Sequence, residues 1–324
     1  MKKIKNNLNK IEQTAHFITG GAGFIGSHLV DRLFKEGHKV TVYDNLSKGH
    51  LENISYNLKN KNFKFIKNDL LDFKNLKESM KGHDVIWHFA ANTNIRKGNE
   101  ITDLDLKNDI IATWNVLEAM RQLKIDKILF PSSSTVYGDM KGIYLSESDG
   151  PLLPISLYGA GKLAGEGLIS AYSSLFDIKA WIFRFGNVVG ARMDHSVIFD
   201  FIQKLKRNSK ELLILGDGKQ RKNFFLIEDC IDGMFTAFKK SKKQCDVYNL
   251  GNESFTGVNK IAKIIIEEMG LKNVKLKYTG GKIGWKGDVP VVLYNINKIK
   301  KLGWEPRYNS DEAIRIAVQR LIKA

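Results

Sequence analysis

Apolar segments of strand length alternate with amphipathic segments of helix length through the first 185 residues, and this alternation limits the fold more than any other feature. Residues 24–36, 104–123 and 157–174 carry apolar side chains at the spacing of helices that cover a sheet. Strands separated by helices predict a parallel sheet of the doubly wound α/β class. The expected strands are 15–19, 39–44, 63–69, 84–90, 127–133 and 179–185.

Beyond about residue 186 the alternation gives way to a smaller mixed α/β region. It holds the loop-forming stretches GDGKQ at 216–220 and TGGKIGWKGD at 279–288, and a helical pattern at its end. Because no Pro- or Ser-rich linker separates the two parts, we expect them to pack as one unit around a cleft. The expected division is a basic tail over 1–14, a sheet domain over 15–185 and a substrate-binding lobe over 186–324, with some segments returning to the sheet.

The composition excludes several classes of protein. Cys230 and Cys245 fit no disulfide framework and no metal spacing, and the seven histidines show no ligand spacing, so we expect a reducing compartment and no metal. No apolar run reaches about 20 residues, so we expect a cytoplasmic protein with no membrane partner. The formal net charge of +16 comes from scattered lysines, which favours a solvated basic surface over a nucleic-acid partner.

A glycine-rich turn, TGGAGFIGS, follows the first predicted strand and opens a helix. Its glycines permit a tight turn, a close backbone approach to a pyrophosphate at Gly23 and close helix packing at Gly26. Asp44 ends the second predicted strand, where a carboxylate binds a ribose and repels a 2′-phosphate. The combination predicts a dinucleotide site with NAD rather than NADP. Asp69, which closes the third strand, is either an adenine contact or a turn cap.

Hydroxyl groups collect where the fifth predicted strand ends, the edge at which ligands bind in open α/β sheets. They belong to the run SSSTVYG, and YGAGK follows at 158–162 as the start of a helix. Tyr158 and Lys162 share one helix face, so the ammonium can stabilise a phenolate and lower the pKa of the tyrosine. Tyr158 is therefore the candidate base, with Tyr137 as the next residue to consider.

Together these motifs resemble an extended short-chain dehydrogenase/reductase of the NAD-dependent nucleotide-sugar epimerase and dehydratase group. The resemblance covers about residues 15–324 and rests on TGGAGFIGS, Tyr43-Asp44, HFAA at 88–91, SSSTVYG, YGAGK, RFGNVVG at 184–190 and Gly287-Asp288. It implies a Rossmann domain that holds NAD tightly, a UDP-sugar or related nucleotide-sugar substrate, and a homodimer.

The resemblance also implies roles for single residues. Ser133 and Tyr158 would meet the sugar 4-hydroxyl, with Lys162 on the nicotinamide ribose as the third catalytic residue. Cofactor contacts are expected from Gly20, Gly23, Phe24, Ile25, Gly26, Asp44, Asn45, Asp69, Leu70, Phe89, Ala90, Ala91, Tyr158, Lys162 and Phe185. Substrate contacts are expected from Ser133, Ser134, Thr135, Asn187, His195, Val197, Arg221, Lys222 and Lys286.

The turn before Val-Tyr-Gly separates the reactions of the group. Dehydratases and decarboxylases of the group usually carry a glutamate directly before it, whereas this chain has Ser134-Thr135. Without a carboxylic acid, elimination lacks a general acid, while hydride removal and return needs none. We therefore expect epimerisation at C4 through a 4-keto sugar. The alternative is a C4 reductase, decarboxylase or dehydratase, and a remote one is a non-catalytic RNA-binding relative.

Two positions depart from the pattern of the group. Many relatives carry an arginine three residues before the Asp of Gly-Asp and another before the aromatic strand that follows GDGKQ. This chain has Trp285 and Lys222 there. Arg221, Lys222 and Lys286 are expected to hold the diphosphate in an altered geometry, because lysine lacks the bidentate fork of arginine. The choice of nucleotide stays open at this point.

Overall fold

The computed structural model describes residues 13–98, 100–140, 144–281, 284, 287, 289 and 291–323. The strands are β1 (Ala15–Thr19), β2 (Lys39–Tyr43), β3 (Phe63–Ile66), β4 (Val85–His88), β5 (Lys127–Ser133), β6 (Tyr144–Leu145), β7 (Lys179–Phe185), β8 (Asn187–Val189), β9 (Glu211–Ile214), β10 (Arg221–Lys222), β11 (Phe224–Leu226), β12 (Cys245–Leu250), β13 (Thr256–Gly257), β14 (Lys275–Tyr278) and β15 (Val291–Tyr294). The helices are α1 (Phe24–Lys35), α2 (Phe73–Met80), α3 (Ile95–Gly98), α4 (Asp103–Asp105), α5 (Ala112–Leu123), α6 (Leu157–Phe176), α7 (Val197–Arg207), α8 (Ile227–Lys240), α9 (Val258–Glu268), α10 (Asn297–Lys300) and α11 (Ser310–Lys323). None of the helices in these ranges combines the length and apolar character needed to cross a bilayer.

The central sheet of the described chain has seven parallel strands in the order β12-β7-β5-β4-β1-β2-β3. This confirms the doubly wound α/β class predicted from the alternation of segments. The seventh strand, β12, comes from beyond residue 186 and pairs with β7 along its whole length. The strand order reverses between β1 and β4, so a crevice opens at their carboxyl ends, where ligands bind in folds of this type.

Apolar side chains cover both faces of the sheet. Alternate residues of a strand point to opposite faces, so Trp87 of β4 packs in a layer that includes side chains of α1 and α8. Its neighbour Ile86 packs in the other layer, with side chains of α5. A third apolar cluster joins α7, α9 and α11 in the smaller lobe. The sheet is therefore buried on both faces and exposes its strand ends to the crevice.

The helix expected over 104–123 is interrupted. After α4, the segment Leu106–Ile111 is π-helical, and α5 begins only at Ala112. Asp109 of the π-helical segment lies against Gly161 of α6, where a Cβ atom would come within 2.9 Å of the Asp109 Cβ. The π-helical segment thus coincides with a close contact between Asp109 and the neighbouring helix α6.

The N-terminal boundary of the sheet domain lies slightly before the first strand. Gln13 Nε2 donates to the carbonyl of Gly37 at 3.1 Å, and the amide of Thr14 donates to His38 Nδ1 at 3.3 Å. Residues 1–12 of the tail expected over 1–14 lie outside the described residues. Residues 13 and 14 are thus attached to the loop that precedes β2.

Candidate active site

Close backbone contacts shape the glycine-rich turn between β1 and α1. Gly20 has a positive φ of 69°, and a Cβ atom there would lie 2.7 Å from the amide nitrogen of Ala90. At Gly26 a Cβ atom would overlap the carbonyl oxygen of Gly20. α1 begins at Phe24, directly after Gly23, and has no acidic side chain in its first turn. The positive end of α1 can therefore face an anion across a turn bare of side chains.

Asp44 lies beside this turn, at the end of β2, and is 8% exposed. Its carboxylate accepts hydrogen bonds from the amides of Ala22 at 3.0 Å and Leu46 at 2.8 Å. Burial raises the pKa of Asp44, and the two amide hydrogen bonds oppose that rise. The structure thus brings the predicted ribose contact to the glycine turn.

Asn45 and Asp69, both predicted to contact the cofactor, bond to each other. Asn45 Nδ2 donates to Asp69 Oδ2 at 2.8 Å, and the amide of Leu71 donates to Asp69 Oδ1 at 2.9 Å. Both oxygens of this carboxylate are therefore used within its own loops, which favours the turn-cap interpretation of Asp69. The other predicted cofactor residues lie in the first turn of α1 or where strands end: Ile25, Leu70, Phe89, Ala90, Ala91 and Phe185.

The predicted catalytic residues meet where β5 ends. Ser133 is the last residue of β5, and its hydroxyl lies close enough to the phenol of Tyr158 to lower the pKa of that phenol. Ser156 caps α6 by accepting the amide of Gly159 at 3.1 Å, which fixes the turn that carries Tyr158. Lys162, one turn further, is buried with its Nζ 5.8 Å from the centre of the Tyr158 ring. The three side chains therefore share one small region at the carboxyl edge of the sheet.

The electrostatics of this region differ from the expectation. Burial raises the pKa of Tyr158, and the carboxylate of Asp109 raises it further. Burial lowers the pKa of Lys162, opposed by the carboxylates of Asp109, Asp105 and Glu166. The pKa of Tyr158 is thus raised, where the sequence predicted that Lys162 would lower it. Burial is the main cause of this rise, and Asp109, whose Oδ1 lies 3.9 Å from Lys162 Nζ, adds to it.

Asp105 and Asp109 are candidates that the sequence analysis missed. Both are 2% exposed and lie one helical turn apart, on α4 and the π-helical segment. A signal was present, because two acidic residues four apart interrupt a pattern otherwise assigned to apolar packing. The sequence alone could not show that this signal concerns the site, because Asp109 approaches α6 only where Gly161 has no side chain.

The predicted substrate residues near Ser133 lie in a short 3-10 turn, Ser134–Tyr137. Thr135 Oγ1 is buried and has no hydrogen-bond partner among the described residues. Asn187, at the start of β8, donates from Nδ2 to the carbonyl of Asn223 at 3.0 Å. The Ser134-Thr135 pair therefore presents hydroxyl groups, and no carboxylate, in the turn that distinguishes reactions of the group.

His195 and Val197 lie at the beginning of α7, further from this turn in the chain. His195 is exposed, and its Nδ1 lies 2.6 Å from Asp194 Oδ1, while Asp194 Oδ2 meets His50 Nε2 at 3.1 Å. The hydrogen bond from His195 is the main cause that lowers the pKa of Asp194 to about 2. Val197 is half-buried as the first residue of α7. Asp194 thus joins two loops at the surface through His50, and His195 bonds only its neighbour in the chain.

Two of the predicted diphosphate contacts, Arg221 and Lys222, are neighbours on β10. The guanidinium of Arg221 lies 5.4 Å from the centre of the Phe255 ring, and Arg221 lines a surface groove with Lys260 and Lys263. Lys222 is the next residue of β10, and neighbouring strand residues point to opposite faces, so it points away from that groove. Arg221 and Lys222 therefore serve different faces of β10. Lys286 and Trp285 lie outside the described residues.

Tyr137 is unsuitable as the alternative base. It is 1% exposed, its hydroxyl donates to Asn249 Oδ1 at 2.7 Å, and Arg184 covers its ring at 4.7 Å. Burial raises the pKa of Tyr137 to about 12. Tyr137 is thus a buried packing residue whose phenol is already engaged.

Most of the chain matches one protein family, because residues 16–251 fit the model of the NAD dependent epimerase/dehydratase family. The chain belongs to this family. A crystal structure of a UDP-galactose 4-epimerase superposes with a TM-score of 0.86 at 37% identity, over 96% of this chain and 99% of that one. UDP-glucuronate 4-epimerase from Thermodesulfobacterium geofontis is 30% identical over 94% of each chain. UDP-glucuronic acid decarboxylase 4 from Arabidopsis thaliana is 30% identical over 93% of this chain and 67% of its own length.

The family is NAD-dependent, and the residues of the glycine turn fit a dinucleotide. Gly20 leaves no room for a side chain against Ala90, so a ligand approaching this turn meets bare backbone. The first turn of α1 carries no acidic residue that would repel a pyrophosphate. Asp44 lies beside the turn with the negative charge that disfavours a 2′-phosphate. The chain is therefore an enzyme of this family whose own turn suits NAD.

Proposed function

We propose that this protein is an NAD-dependent 4-epimerase of a UDP-sugar. The observation that carries the proposal is the meeting of Ser133, Tyr158 and Lys162 at the carboxyl edge of the sheet. Ser134 and Thr135 add hydroxyl groups and no carboxylic acid to the adjoining turn. This set of side chains supports proton removal and return at a hydroxyl, and it lacks the acid that elimination requires.

The proposed mechanism uses one base for two opposite proton transfers. Tyr158 accepts the proton of the sugar 4-hydroxyl, while the hydroxyl of Ser133, which lies beside the phenol, orients the same group. Lys162 contributes the positive charge and holds the nicotinamide ribose. Bound NAD supplies the acceptor that takes the hydride from C4 and gives it back. The flat 4-keto sugar turns about its diphosphate linkage before Tyr158 returns the proton, so the configuration at C4 inverts without net redox.

The smaller lobe is proposed to hold the nucleotide end of the substrate. Asn187 and Lys222 come from β8 and β10, two strands that follow the sheet domain in the chain. Lys222 contributes a single ammonium, which binds a phosphate as a point charge and without the geometry of a guanidinium. The proposed division into a cofactor domain over 15–185 and a substrate lobe over 186–324 follows from this assignment.

Decarboxylation is the second candidate, because the relatives include a UDP-glucuronic acid decarboxylase. Incubation of the purified protein with UDP-glucose, UDP-glucuronate and UDP-N-acetylglucosamine, followed by NMR, separates the two candidates. We expect the C4 epimer of at least one of these sugars and no accumulation of NADH. A UDP-pentose formed from UDP-glucuronate would overturn the epimerase proposal, and Tyr158→Phe provides the matched inactive control.

We also propose a homodimer formed through α5 and α6. Trp114 on α5 is 44% exposed, and Leu175 and Phe176 at the end of α6 are 71% and 43% exposed. These apolar side chains lie on neighbouring helices that pack against each other. When a second copy covers this surface, the apolar area removed from water stabilises the dimer by about 25 cal/mol per Å².

A further inference from the structure

Lys162 lies near two groups that can lose a proton: the carboxyl group of Asp109, on the π-helical segment, and the phenol of Tyr158, on α6. Its Nζ is 3.9 Å from Asp109 Oδ1, and the ring of Tyr158 lies on the same side of α6. Lys162 is 3% exposed and Asp109 is 2% exposed, so water screens this pair weakly. One positive charge is therefore shared between a buried carboxylate and the phenol of the candidate base.

Two glycines allow the carboxylates to reach this position. A Cβ atom at Gly161 would lie 2.9 Å from Asp109 Cβ, and one at Gly98 would overlap the carboxylate of Asp105. Asp105 Oδ1 accepts a hydrogen bond from Asn92 Nδ2 at 2.7 Å. π-helical turns such as the one that carries Asp109 occur frequently at functional sites. The approach of the acid pair to α6 is thus built into the packing of three elements.

The other titratable groups described near Asp109 do not neutralise its negative charge. His88 of β4 lies between Thr19 and Thr113, and it is neutral because burial lowers its pKa to about 3. Glu166, one turn beyond Lys162, is paired with Arg184 at 2.7 Å. Among the described residues, Lys162 is the cation that faces Asp109.

The charge state of Asp109 changes near neutral pH. Burial raises the pKa of Asp109 to about 7, Lys162 opposes the rise, and the neighbouring Asp105 adds to it. When Asp109 is ionised, it neutralises Lys162 and repels a phenolate at Tyr158. When Asp109 is protonated, the charge of Lys162 is left to Tyr158. Two acids that share one cation in this way titrate as a coupled pair.

We propose that Asp109 is a positioning residue that competes with Tyr158 for the charge of Lys162, so that its ionisation holds back the ionisation of the base. The inference rests on the proposed role of Tyr158. It adds a residue outside the set of Ser133, Tyr158 and Lys162, and it assigns a function to the acid pair on α4 and the π-helical segment.

The test measures the ionisation of Tyr158 directly in NAD-saturated protein. Phenolate absorbance is followed against pH, and the same titration of a Tyr158→Phe variant is subtracted. Asp109→Asn keeps the shape of the side chain and removes its charge. We expect it to move the Tyr158 midpoint down by about one to three pH units, the usual effect of a charge within 4–6 Å. An unchanged midpoint overturns the proposal. So does an upward shift, because that would mean that Asp109 serves to keep Lys162 protonated.

Asp103→Asn is the matched control, because Asp103 is an exposed member of α4 that pairs with Lys107 at 2.5 Å. It should leave the midpoint unchanged. If Asp109→Asn does not fold, Asp105→Asn removes the other carboxylate and should move the midpoint in the same direction by a smaller amount. In that case, the proposal is overturned if the Tyr158 midpoint in Asp105→Asn equals the midpoint in the parent protein.

The titration needs no substrate, so it separates this inference from the proposed reaction. If the protein epimerises a UDP-sugar, Asp109→Asn should also move the acidic limb of the kcat profile to lower pH with KM unchanged. A shifted Tyr158 midpoint without turnover of any UDP-sugar supports the inference and contradicts the proposed function. A shifted kcat limb without a shifted midpoint overturns the inference alone.

Discussion

At the scale of single residues, the proposed chemistry depends on one phenol. Tyr158→Phe retains the ring and removes only the hydroxyl, which lies beside Ser133. We expect kcat for C4 inversion to fall by about 10²–10⁴, the usual contribution of a positioned acid–base group, with fold and NAD content unchanged. Tyr172→Phe, on the same helix with its hydroxyl on Glu118, should retain turnover. Near-full activity of Tyr158→Phe would show that another group is the base.

His88 predicts a dependence of folding on pH. Burial lowers its pKa to about 3 in the folded chain, from the ordinary histidine value of 6.5. The unfolded chain therefore takes up a proton first, and the free energy of unfolding falls as pH drops from about 6.5 towards 3. The contribution is up to about 1.4 kcal/mol per pH unit.

Urea unfolding at several pH values in that window tests this prediction. His88→Gln, which can still bond Thr19 and Thr113, should reduce the slope, and the part that remains comes from groups such as His16, whose pKa burial also lowers to about 3. Equal slopes for the parent and His88→Gln would contradict the assignment of a buried neutral histidine.

Helix spacing alone predicts that Tyr158 and Lys162 are neighbours, and the family resemblance adds Ser133 to them. The direction of the Tyr158 pKa could not be predicted. It depends on burial and on Asp109, which comes from a different part of the chain. Likewise, Arg221 and Lys222 are adjacent in the sequence and face opposite sides of β10. A list of adjacent cations cannot reveal that separation.

At the scale of elements, the turn between β1 and α1 offers a test with an internal control. Gly20 and Gly37 both have positive φ, so alanine at either position incurs about 1–2 kcal/mol of backbone strain. Among the described residues, nothing lies within 4 Å of a Cβ atom at Gly37, whereas one at Gly20 would meet the backbone of Phe89 and Ala90.

We expect Gly20→Ala to lower the free energy of unfolding by about 1–3 kcal/mol more than Gly37→Ala, because it adds a steric clash to the same strain. It should also reduce the NAD retained through purification, while Gly37→Ala retains the parent content. Thermal unfolding and cofactor analysis of both variants provide the measurements. Equal losses of stability would mean that the turn relaxes around the added methyl group.

Regular elements were predictable and irregular ones were not. The bounds of β1, β5 and β7 agree with the apolar runs, because strands buried on both faces carry a continuous signal. The π-helical segment Leu106–Ile111 has no such continuous signal, and its Asp109 contacts Gly161 on a separate helix. The spacing of apolar residues predicts one helix at a time, and it does not show which residues of a neighbouring helix will contact it.

At the scale of the whole molecule, the proposed homodimer predicts a change of mass. Leu175→Glu places a charge on the most exposed apolar position of α6, and we expect it to yield a monomer by light scattering where the parent protein gives twice that mass. Leu213→Glu, a 45% exposed position on β9, should leave the parent mass unchanged. A monomeric parent protein at micromolar concentration would contradict the dimer.

The return of β12 to the central sheet has a consequence for synthesis of the chain. β7 is an interior strand only after Cys245–Leu250 has paired along it. While a ribosome is still producing residues 186–244, β7 is an open edge with unpaired backbone groups and apolar side chains. Truncation after residue 185 leaves that edge permanently uncovered, so the first half of the chain is expected to aggregate when expressed alone.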